Sequence, residues 1–107
     1  MCHIQTLAET SDSYVIYCQQ CRMLQLMYEY NFVLNVNAED FHCLSQHLLI
    51  ASEECSLLHR DDDEPMDVVL DARRTVSLTV KQLAGLSEMV SGASALFEVY
   101  QLMDAEN

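Results

Sequence analysis

The chain has 107 residues, half of them hydrophobic, and a formal net charge of −12. That length suits one domain whose core needs no disulfides, and that hydrophobicity speaks against disorder. The charge, with only Arg22, Arg60, Arg73, Arg74 and Lys81 to oppose it, speaks against nucleic acid, whose phosphates need clustered Lys and Arg, and against an anionic membrane surface. No apolar run is long enough to expect a transmembrane helix. Met1 to Gln5 hold no basic stretch leading into an apolar block, so no signal peptide is expected. The five cysteines, Cys2, Cys18, Cys21, Cys43 and Cys55, are odd in number, which fits a reduced cytoplasmic protein.

In chain order, residues 1–12 read as an irregular N-terminal arm. Tyr14-Val15-Ile16-Tyr17 suits a pleated strand, and Met23 to Tyr28 forms a second. Glu29-Tyr30-Asn31 is the turn into a third strand, Phe32 to Val36, with Asn31 the residue suited to a left-handed conformation. Asn37 caps a helix predicted over 38–56, where Glu39 and Asp40 favour the positive end of the dipole. Phe41, Leu44, Leu48, Ala51 and Cys55 recur at helical spacing and form its buried stripe. Residues 59–67 read as an acidic loop stopped by Pro65; their spacing is not that of a calcium loop. Val68-Val69-Leu70 and Thr75 to Leu78 make a second hairpin. Thr79 and Gln82 form a capping box for a helix predicted over 80–103, whose stripe is Leu83, Leu86, Val90, Ala93, Phe97 and Tyr100. Gly85 and Gly92 inside it suggest close approach to another helix.

A shift of 42 residues lays the first strand–helix pattern on the second, so that Leu34 falls on Val76, Asn37 on Thr79 and Leu44 on Leu86. The expected fold is α+β: an antiparallel sheet of four to five strands with two helices on one face, as a ββα-ββα pseudo-repeat. The domain then divides into the arm (1–12), a first hairpin–helix unit (13–58) and a second (66–104).

The one motif with chemical promise is Cys18-Gln19-Gln20-Cys21. Two cysteines three apart on a hairpin bend present both sulfurs on one side, which is half of a tetrahedral thiolate site. The readings left open are a metal pair, two plain reduced thiols, and a redox pair. Redox cysteines of this spacing sit where a strand enters a helix, and here strand follows. Zinc is the metal such donors suit. Its further ligands would come first from Cys2 or His3 in the arm. Cys43 with His47 is the second choice, opposed by geometry, since Cys43 lies well round the helix from the buried stripe. Cys55 and His59 share that spacing, but Cys55 lies on the core stripe. No serine elbow, phosphate-binding glycine loop or His-Glu-x-x-His is present.

Cys2-His3, the Cys18–Cys21 knuckle, Gln25-Leu26-Met27-Tyr28, Leu34 to Leu44 and the strand into Leu78-Thr79-x-x-Gln82-Leu83 together resemble a family of short uncharacterised bacterial proteins, a domain of unknown function. The resemblance implies the layout and no known activity, leaving function open; a glycine-containing turn expected after the second strand is replaced by Glu29-Tyr30-Asn31. The expectation is a non-enzymatic zinc-binding or interaction module with an unknown protein partner. The alternatives are a metal-free homodimeric scaffold or regulatory protein, for which Tyr14, Tyr17, Met23, Met27 and Tyr28 supply surplus apolar surface, and a thiol redox protein using Cys18 and Cys21. Bound metal, a metal-free dimer and a lowered thiol pKa would tell the three apart.

Overall fold

A computed structural model describes residues 3–58, 61, 63–71 and 73–105. The elements run β1 (Ile4–Glu9), β2 (Tyr14–Cys18), β3 (Met23–Tyr28), β4 (Phe32–Asn37), α1 (Ala38–Leu57), β5 (Pro65–Asp71), β6 (Arg74–Thr79) and α2 (Val80–Ala105). The fold is α+β. Strands β1 to β4 form one antiparallel sheet in chain order, and β5 with β6 forms a separate two-stranded sheet.

The alternation of β2, β3 and β4 makes one side of the sheet the core side. Val15, Tyr17, Leu24, Leu26, Tyr28, Phe32 and Leu34 are buried there. Onto them pack Phe41, Leu44 and Leu48 of α1 and Leu83, Leu86, Val90, Ala93 and Phe97 of α2. Both predicted stripes are therefore the buried faces, with Ala51 and Tyr100 at their margins. The helix starts also follow the sequence. Asn37 Oδ1 accepts from the Asp40 amide at 2.7 Å. The Thr79 amide donates to Gln82 Oε1 at 2.9 Å and the Gln82 amide to Thr79 Oγ1 at 3.1 Å, a reciprocal box worth about 1 kcal/mol to the helix.

A shift of 42 residues carries Met23 onto Pro65, Phe32 onto Arg74 and Ala38 onto Val80, the first residues of β5, β6 and α2. The two hairpin–helix units share their spacing but not their sheet. At the hairpin tip, Arg74 donates through its guanidinium to the Val33 carbonyl of β4.

The residues expected to be an irregular arm contain β1. It pairs with β2 from Ile4 opposite Cys18 to Glu9 opposite Tyr14, with the register shifting between Thr6 and Ala8. The bulge lets consecutive residues, Leu7 and Ala8, both serve the core side. The strand also gives α2 a seat, because α2 packs over β1 and its Phe97 ring lies 4.7 Å from that of Tyr17.

The β3–β4 turn differs from expectation too. Its left-handed residues are Glu29 (φ 49°) and Tyr30 (φ 55°), not Asn31. The cost of two non-glycine residues there is offset by bonds from the β1–β2 loop. Ser13 Oγ accepts from the Glu29 amide at 2.9 Å, Asp12 O from the Tyr30 amide, and Ser11 O from the Tyr30 hydroxyl.

Gly85 marks a close approach, but to a strand. A Cβ there would lie 2.8 Å from the Tyr28 hydroxyl oxygen, whereas Gly92 faces nothing within 4 Å. That hydroxyl donates to the Gln82 carbonyl at 2.7 Å. Burial, then the negative charges of Glu29 and Asp12, push its pKa up to about 12.

Candidate metal-binding turn

Among the described residues, no helix covers the outer side of the four-stranded sheet. Its residues are Tyr14, Ile16 and Cys18 of β2, Met23, Gln25 and Met27 of β3, and Val33 and Asn35 of β4, as the register requires. A polar row crosses three strands. The Tyr14 hydroxyl donates to Gln25 Oε1 at 2.7 Å, and Gln25 Nε2 donates to Asn35 Oδ1 at 3.1 Å. Of the aromatic and methionine residues expected to exceed one face, Tyr17 and Tyr28 serve the core, and Tyr14, Met23 and Met27 lie outside.

Cys18 is the last residue of β2, half-buried on this outer side, and Cys21 is exposed in the turn to β3. The chain reverses because Arg22 adopts φ 57° and its amide donates to the Cys18 carbonyl at 2.8 Å. The same reversal turns the Cys21 amide toward Cys18 Sγ at 3.5 Å. Strand follows the turn, as expected from sequence, so the turn lacks the helix N-terminus that adjoins a redox pair.

His3 lies beside the turn, and its carbonyl accepts from the Gln19 amide at 3.1 Å. Its side chain is exposed. Cys2 lies outside the described residues. Among the described residues, no three His, Cys, Asp or Glu side chains are gathered as a metal site requires. Cys43 and His47 are exposed on α1, along a groove bounded by Leu34, Val36, Val69 and Leu70 whose lining includes neither Cys18 nor Cys21. Cys55 is buried with its sulfur 3.4 Å from that of Met66, and His59 lies outside the described residues.

Sequence reasoning missed two neighbours of the cysteines. Ile4 and Met23 are the cross-strand partners of Cys18 on either side. The second was legible, since a reversal through the four residues 19–22 brings Met23 opposite Cys18. The first required β1 to be recognised as a strand.

No family model, curated protein or solved structure matches this chain. Among the described residues, no helix is long and apolar enough to cross a membrane.

Proposed function

We propose that the protein is a small non-enzymatic module in which Cys18 and Cys21 hold zinc, with Cys2 or His3 supplying a further ligand. The observation that carries this reading is the turn itself: a left-handed Arg22 and a Cys21 amide aimed at the Cys18 sulfur. Such a turn puts both cysteines on one reversal of the chain. The hydrogen bond from Gln19 to His3 ties the start of the chain to the same turn, which supports the choice of the N-terminal pair. Ile4 shares the side of Cys18. The resemblance to a family of short uncharacterised bacterial proteins is proposed on the same residues. A reducing, cytoplasmic setting would keep the thiolates available.

The core is built from both helices and the sheet without help from this turn, so the ion should stabilise the turn and β1 more than the whole domain. Hydrogen exchange tests this. Removing zinc with a chelator should raise amide exchange over residues 3–22 and leave α1 and α2 unchanged. Uniform loosening of the helices, or no change at the turn, would contradict the proposal.

A second reading, a metal-free homodimeric scaffold, is favoured by one observation. Leu49, Ile50, Leu57 and Leu58 are exposed on α1 and just beyond its end, an apolar surface of the kind that partners cover. A metal-free dimer in light scattering would support it over zinc binding.

A further inference from the structure

Three sulfur-bearing residues line one corner of the outer sheet face. Cys18 and Met23 are directly cross-strand, which places their Cβ atoms about 4.5–5.5 Å apart. Cys21 lies in the turn that joins them. All three line one cavity of about 390 Å³, whose other walls include Ile4, Ile16, Gln25 and Asn35. Met23 is 38% exposed, and it belongs to the outer face, so the core does not hold its side chain. With three rotatable bonds the thioether can swing toward the two cysteines.

The donor set discriminates between metals. Zinc sites are built from thiolate, imidazole and carboxylate, and thioether is not among their usual ligands. Monovalent copper accepts thiolate and thioether together and tolerates low coordination numbers in apolar surroundings. Ile4 and Ile16 supply such surroundings beside the sulfurs.

We propose that this corner binds Cu(I) through the sulfurs of Cys18, Cys21 and Met23. The inference rests on reading Cys18 and Cys21 as a metal-holding thiolate pair. It adds that the pair has two modes of completion: Cys2 or His3 toward zinc, and Met23 toward copper. Binding forms two copper–thiolate bonds and one copper–thioether bond, and releases the two thiol protons to solvent. The ion enters and stays as Cu(I), so no electron is transferred.

The test is an anaerobic titration of the full chain with Cu(I) against a chromogenic Cu(I) chelator, beside a zinc competition. Wild-type protein should hold one Cu(I). Met23→Leu should weaken copper by about tenfold or more and leave zinc affinity unchanged. In protein grown on selenomethionine, X-ray absorption at the copper edge should show one selenium neighbour, and Met23→Leu should abolish it. Equal copper affinity in the two proteins, or no selenium neighbour, overturns the proposal. Zinc uptake without copper uptake overturns it and sustains the zinc reading. Copper uptake that depends on Met23, without zinc uptake, sustains it and refutes the zinc reading.

Discussion

Replacing Leu86 by alanine should lower the unfolding free energy by about 2–5 kcal/mol, and Leu44→Ala should do the same. Leu86 is fully buried and Leu44 nearly so, in one cluster that takes in both helices and the sheet. The two are equivalent positions of the hairpin–helix pattern, each six residues into its helix and seven after its cap. The loss has two parts: the transfer free energy of the missing methyl and methylene groups, and the cavity they leave where neighbours cannot follow. Leu102→Ala is the control: Leu102 is 67% exposed near the end of α2, and its change should stay within about 0.5 kcal/mol. Urea denaturation reads all three as shifts of midpoint at constant slope. A Leu86→Ala loss close to that of Leu102→Ala would contradict the assignment of the stripe.

Cys18→Ser should abolish zinc binding and leave both helices formed. A serine hydroxyl keeps the shape of the turn but offers zinc no thiolate, and a site left with Cys21 and one arm ligand has only two protein ligands, too few to retain the ion. Because Cys18 lies at the end of β2 and not in the core, far-ultraviolet circular dichroism should match wild type. Cys2→Ser or His3→Ala should weaken zinc, according to which of the two completes the site. Cys43→Ser should leave it unchanged, since Cys43 lines a different groove on α1. Zinc retained by Cys18→Ser, or lost in Cys43→Ser, would overturn the assignment of ligands.

The parts of this fold that were legible in the sequence are those decided by local chemistry. Asn37 and the Thr79–Gln82 box announced the helix starts because a cap needs only residues within one turn of each other. The stripes from Phe41 and Leu83 announced the buried faces because helical periodicity is written in the residues themselves. What was not legible depends on contacts between distant residues. β1 reads as an arm because its Gln5, Thr6 and Glu9 dilute the apolar signal, and only pairing with β2 and the bulge at Leu7 make it a strand. The left-handed Glu29 and Tyr30 give no sign in sequence, since the Ser11, Asp12 and Ser13 groups that hold them lie on another loop. The separation of β5 and β6 from the main sheet is likewise a matter of tertiary placement. The candidate site divides the same way. The Cys18–Cys21 spacing is local, whereas the approach of His3 to Gln19 follows from β1, and Met23 becomes relevant only as the cross-strand partner of Cys18.

The central claim, that the turn is a metal site, is tested most directly by elemental analysis of the untagged chain purified without chelator. The proposed site predicts about one zinc per chain, carried through purification or taken up at neutral pH. Protein that carries far less than one equivalent of zinc, and takes up none when it is supplied at neutral pH, would contradict it.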